Sequence, residues 1–149
     1  MALTKKIAYV QAAWHADITA HCKDAFTAEL AARGYDRRCI DFFSAPGSLE
    51  IPLMAKKLAK TGKYAAVCAS GLVVDGGIYR HEFVAQAVLH GIVQTSLETE
   101  VPILSAVLTP HHFHEHAAHE EFFKQHMLIK GKELAEACLA IVENLAAVA

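Results

Sequence analysis

A chain of 149 residues, 54% apolar, with 14 basic against 16 acidic side chains and a formal net charge of -2, is long enough to bury its own core as one domain over residues 1–149 without a disulfide or a metal. The even charge balance and the lack of a lysine- or arginine-rich block argue against nucleic acid as a partner. The most apolar run, "AAVCASGLVV", is too short to span a bilayer, and "MALTKKIAYVQAAW" lacks the apolar core and cleavage site of a signal peptide, so a cytoplasmic protein with no membrane partner is expected. Cys22, Cys39, Cys68 and Cys138 lie far apart with no C-x-x-C pair, as expected of reduced thiols acting as small packed apolar residues.

"KKIAYVQAAW" reads as a strand. "DITAHCKDAFTAELAARGY" follows with helical spacing, Asp17 as its candidate N-cap and Gly34 at its end. "RRCIDFF" is β-branched and aromatic, "APGS" is a turn, and "LEIPLMAKKLAKTGKY" predicts a helix with Leu49, Leu53 and Leu58 on one face before Gly62. "AAVCASGLVV" is apolar on both faces, as a strand covered by helices should be, and "DGG" separates it from a helix over about Arg80 to Glu98. "VPILSAVLT" predicts a fourth, doubly buried strand. The histidine-rich segment and "KGKELAEACLAIVENLAAVA" predict closing helices. The fold class expected is α/β, a three-layer αβα sandwich around a four-stranded parallel sheet of flavodoxin-like type. No linker, repeat or low-complexity segment divides it.

Ligands of such sheets bind beyond the carboxyl ends of the strands, which directs attention to four segments. After the first strand, Trp14, the only tryptophan, either stacks on a flat heteroaromatic ring or anchors the core. After the second, Pro46 and Gly47 make a tight turn and Ser48, Leu49 and Glu50 lead into a helix. There Glu50 either complements the helix dipole or bonds a polar ligand edge. After the third, Gly76 and Gly77 allow backbone N–H groups to converge on an anion, unless they only make a turn. Arg80 adds a permanent cation beside them and His81 a group that exchanges protons near neutrality.

After the fourth strand, "HHFHEHAAHEEFFKQH" holds six of the ten histidines. With Thr109 as cap and Pro110 at the helix start, His112, His116 and His119 share a face. The zinc-protease pattern H-E-x-x-H is not met, because His114 and His119 diverge by about 140° around a helix of ~3.6 residues per turn. No third ligand accompanies His112 and His116, so a metal site ranks below an anion-facing or solvated histidine face, and no metal is expected.

Taken together, "PGSLEIP", "GLVVDGGIYR", "AVLT" and "IKGKELAEA", in order and at nearly family spacing, resemble lumazine synthase over essentially the whole chain, more closely its divergent type II form. The last of these matches what is read as a helix start. The resemblance implies condensation of ribitylaminouracil with dihydroxybutanone phosphate to dimethylribityllumazine, a transferase step of riboflavin biosynthesis that needs no cofactor. It implies a homo-oligomer of pentamers, typically a pair of them, with sites shared between neighbouring subunits.

Carried position by position, the resemblance implies that Trp14 stacks on the pyrimidine and that Ser48, Leu49 and Glu50 contact ribityl chain and ring. Leu72, Val73, Val74 and Ser105 follow as further substrate contacts, and Gly77 and Ile78 as the phosphate-binding pair. Three positions depart from the family pattern. Asp75 replaces an arginine, and Arg80 occupies the acid-base histidine's position with His81 following it. A guanidinium does not give up its proton, so the catalytic work implied for Arg80 is charge stabilisation, with His81 or a histidine of the later helix relaying protons. The second phosphate-binding arginine is replaced by a histidine, His119, with His112 and His116 as rivals. The departures keep a non-catalytic lumazine- or flavin-binding protein of the same fold as the alternative, with a histidine-rich metal module third.

Overall fold

The computed structural model describes residues 3–75, 80–111 and 117–149. In chain order these form β1 (Lys6–Ala12), α1 (Ala16–Ala32), β2 (Ile40–Ala45), α2 (Ile51–Lys60), β3 (Tyr64–Leu72), α3 (His81–Thr99), β4 (Ile103–Leu108) and α4 (Ala117–Val148), with 3-10 turns at Arg37–Cys39 and Ser48–Glu50. The four strands make one parallel sheet in the order β2-β1-β3-β4. This is the αβα arrangement expected from the sequence.

Alternation along β1 sends side chains to opposite faces, and each face is covered by its own pair of helices. Ile7 and Tyr9 pack with Phe26 and Leu30 of α1 and with Met127 and Ala135 of α4. Ala8 and Val10 pack with Ile51 and Ala55 of α2 and with Val88 and Ile92 of α3. Central β3 is almost wholly buried, which explains why its sequence is apolar without alternation.

The two helix pairs approach closely through glycines. A Cβ on Gly91 of α3 would sit 2.8 Å from the Pro52 ring of α2. A Cβ on Gly131 would press on the α1 backbone at Cys22 and Phe26. Gly131 and its lysine neighbours lie inside α4, so "IKGKELAEA" marks a close crossing of helices and not a helix start.

Other local expectations also change. His15, in left-handed backbone, is the N-cap of α1, while Asp17 lies in the first turn, where its charge complements the helix dipole. Helical phase buries Ile51, Ala55 and Ala59 of α2, leaving Leu53, half a turn round from Ile51, 63% exposed; Leu49 is exposed in the preceding turn. Strand β4 is an edge, yet both its faces are covered as expected, Ala106 packing in one core cluster and Ile103 and Val107 in the other, with Ser105 left exposed. Pro110 is not helical, since a proline that suits a first helical turn suits a loop equally well. Gly34 and Gly62 follow α1 and α2 with positive φ, as read. All four cysteines are free, with Cys22, Cys68 and Cys138 buried and Cys39 partly so. Burial pushes the Cys22 thiol up to about 11, which keeps it protonated and inert. Among the described residues no helix is long and apolar enough to cross a membrane.

Candidate functional site at the carboxyl ends of β1 and β3

The chain leaves β1 towards β2 and later returns across it to β3, so the sheet's winding reverses between β1 and β3. Loops diverge there and leave a crevice. Two backbone bonds fix its rim: Ala13 N–H donates to the Ala45 carbonyl (2.8 Å), and Val73 N–H donates to the Leu108 carbonyl (2.9 Å). Between them lies a cavity of about 450 Å³ lined by Trp14, His15, Gly47, Ser48, Leu49, Glu50, Leu72, Val73, Val74, His81 and Val84.

Trp14 is 69% exposed, so its indole is a plate on the cavity wall and not the core anchor that composition allowed. Glu50 and Trp14 converge on one glycine: a Cβ on Gly47 would lie 3.5 Å from Glu50 Oε2 and 3.8 Å from the indole Nε1. A larger residue at 47 would therefore crowd both groups. Glu50 makes no side-chain cap bond to α2, which leaves its carboxylate over the turn. Ser48 Oγ sits directly over Gly71, where an added Cβ would come within 2.7 Å of it. Leu72, Val73 and Val74 supply the apolar wall.

The opposite side is formed by the start of α3. His81 lines the cavity with its side chain 19% exposed, and its Nδ1 lies 3.1 Å from Glu82 Oε2. Arg80 is the N-cap residue of α3 and its exposed guanidinium lies 5.6 Å from the Phe83 ring centroid, on the outer surface and not in the cavity lining. Ser105 is also outside the cavity, on the open edge of the sheet, where its Oγ accepts the Val107 N–H (3.1 Å). His119 is partly buried on α4 with its ring 5.0 Å from Phe123, again away from the lining. Asp75 is partly buried just past Val74. Gly76, Gly77, Ile78, His112, His114 and His116 lie outside the described residues. Among the described residues no group of three or more His, Cys, Asp or Glu side chains is placed to hold a metal.

Thus one cavity collects Trp14, Ser48, Leu49, Glu50, Leu72, Val73, Val74 and His81, while Arg80, Ser105 and His119 face elsewhere in the same chain. No sequence pattern singled out His15 or Val84, which line it too. An aromatic plate, a hydroxyl and a carboxylate, an apolar wall and an imidazole suit a flat, polar-edged heterocycle reacting with a small second molecule.

The family profile for 6,7-dimethyl-8-ribityllumazine synthase matches residues 4–146. A 6,7-dimethyl-8-ribityllumazine synthase of Rhodococcus erythropolis is 52% identical over 143 residues, covering 96% of this chain and 92% of that protein. The protein named 6,7-dimethyl-8-ribityllumazine synthase 2 of Pseudomonas syringae pv. tomato is 52% identical over 134 residues, 90% of this chain and 79% of its own length. The one named synthase 1 of Caulobacter vibrioides is 33% identical over 140 residues, 94% of this chain and 90% of its own. With the crevice and the family match agreeing over nearly the whole length, this chain belongs to the 6,7-dimethyl-8-ribityllumazine synthase family.

Proposed function

We propose that residues 1–149 act as one domain that condenses 5-amino-6-(D-ribitylamino)uracil with 3,4-dihydroxy-2-butanone 4-phosphate, releasing phosphate and water and yielding 6,7-dimethyl-8-ribityllumazine for riboflavin biosynthesis. The observation that carries this reading is the single cavity joining Trp14, the Ser48–Glu50 turn and His81. The non-catalytic binding alternative is not favoured, because the relatives are named as synthases and the cavity that holds the Trp14 plate also holds the His81 imidazole.

In this reading Trp14 stacks on the pyrimidine. Ser48 and Glu50 hold its polar edge and the ribityl hydroxyls, and Leu49, Leu72, Val73 and Val74 exclude water. The reaction needs two substrates held in contact, a seat for departing phosphate and proton transfer. Gly77 and Ile78 amides, Arg80 and His119 seat the phosphate. Arg80 reaches it by leaving the Phe83 ring, a contact worth about 0.5–1 kcal/mol at an exposed site. His81 carries protons, with Glu82 at Nδ1 fixing its ring orientation.

The chain works in the cytoplasm as a homo-oligomer, a pentamer or a pair of pentamers. Supporting this, Phe83, Val93 and Leu97 are exposed apolar residues on α3, and together with His90 they recur at the alternating spacing that seams helices together. Ser105, exposed on β4 outside its own chain's cavity, completes a neighbour's site. A monomer at micromolar concentration in a sizing experiment contradicts the assembly.

The function is tested by following the lumazine chromophore together with inorganic phosphate when both substrates are supplied; both should appear in equal amounts. Arg80→Ala and His81→Ala should each slow turnover by at least about tenfold. Rates near wild type in both would remove these two residues from the mechanism. Gly71→Ala should displace Ser48 and weaken pyrimidine binding about fivefold, the equivalent of one lost hydrogen bond of ~1 kcal/mol, as titration with a substrate analogue would measure. Unchanged affinity would mean that Ser48 does not contact the ligand.

A further inference from the structure

We propose that His15 is a second proton-carrying catalytic residue, acting on the bond between the pyrimidine amine and the butanone carbonyl while His81 serves the phosphate end. The assignment rests on the condensation described above. His15 directly follows Trp14 and lines the same cavity as Glu50 and His81. Its backbone is left-handed, φ 56 and ψ 39. A residue with a Cβ adopts this conformation at a cost in energy. Among the described residues only Glu100 also has positive φ without being glycine, and it ends α3, a position where left-handed backbone is common.

Helix capping does not account for a histidine here, since the His15 side chain makes no cap bond. Its backbone, by contrast, is tightly held. The His15 carbonyl accepts the N–H groups of Ile18 and Thr19, both at 3.0 Å, and the hydroxyl of fully buried Thr19 at 3.3 Å. These bonds fix the direction in which the imidazole leaves the chain, at the rim of the cavity and next to the stacking plate. An imidazole so held suits proton transfer to atoms on the ring stacked against Trp14.

The amine nitrogen adds to the ketone carbon, forming a C–N bond and moving the carbonyl electron pair onto oxygen, which takes up the proton that the nitrogen sheds to give a neutral carbinolamine. Protonated His15 gives its proton to that hydroxyl, the C–O bond breaks and water leaves. The N–H proton of the resulting iminium then returns to the His15 ring, so no net proton is consumed. Phosphate departs two carbons further along the chain, beside the start of α3, where His81 stands.

His15→Asn is the informative variant, because asparagine accepts left-handed backbone readily and does not relay protons. With both substrates, kcat should fall at least about tenfold, KM should change less than about threefold and the melting temperature should hold. In His15→Ala, added imidazole should restore part of the lost rate. Turnover of His15→Asn within about twofold of wild type, or a loss confined to KM, overturns the assignment. So does a His15→Ala chain that imidazole does not rescue. Wild-type enzyme assayed alongside separates the two levels: if it makes no lumazine, the condensation itself fails and His15 falls with it.

Discussion

Gly131→Val should destabilise the folded chain by at least about 3 kcal/mol and lower its melting temperature by roughly 6–12 °C, as overpacking at a closed contact does in a domain of this size. Propensity alone points the other way, because replacing a mid-helix glycine with a residue bearing a Cβ removes a cost of up to about 1 kcal/mol. The contact decides the sign. A Cβ at 131 would press on the Cys22 carbonyl, lie 2.8 Å from Ala25 Cβ and lie 3.0 Å from the Phe26 amide nitrogen. Backbone atoms of a neighbouring helix cannot rotate aside as a side chain can, so α1 and α4 must separate. Their shared cluster of Phe26, Leu30, Met127 and Ala135 would loosen with them. Gly131→Ala should show the same sign with smaller magnitude. Denaturant melts at fixed protein concentration measure both, and a Gly131→Ala chain more stable than wild type would mean that the helices do not cross at this residue.

Trp14→Ala should leave folding almost unchanged and weaken pyrimidine binding by about 1–3 kcal/mol, the range found when an aromatic stacked on a nucleobase is removed. That corresponds to roughly five- to 150-fold in Kd. The separation of the two effects follows from exposure, since an indole 69% open to solvent contributes little to the core of a single chain. Trp14→Phe should retain most of the affinity because a ring face remains. Calorimetric titration beside a thermal melt tests both; a large loss of stability with affinity intact would make Trp14 a structural residue of the assembled protein.

The sheet and most of the cavity were legible in the sequence for one physical reason. A parallel strand buried on both faces is apolar throughout, as Tyr64–Leu72 is, and its carboxyl end is where a reversing winding order opens a crevice. Trp14, the Ser48–Glu50 turn, Leu72–Val74 and His81 follow from that rule. Side-chain direction is less legible. Arg80 packs on Phe83 three residues along its own helix, a choice of rotamer that strand-and-helix reasoning does not reach. Ser105 is exposed on an edge strand although Ile103 and Val107 on the same face are buried, and strand order is a tertiary property. His15 is in the lining and has left-handed backbone at the start of α1, a conformation that its residue type does not announce. Gly131, flanked by Lys130 and Lys132, carries the local signature of a helix boundary, although contact with α1 lets α4 run straight through it.

Because Trp14 is the only tryptophan, its fluorescence reports on the cavity without interference from another indole. Titrating the ribitylaminouracil substrate, with the butanone phosphate absent, should quench that emission to saturation with a midpoint near the concentration that half-saturates turnover. Emission that stays constant through concentrations saturating lumazine formation would place the chemistry elsewhere in the protein.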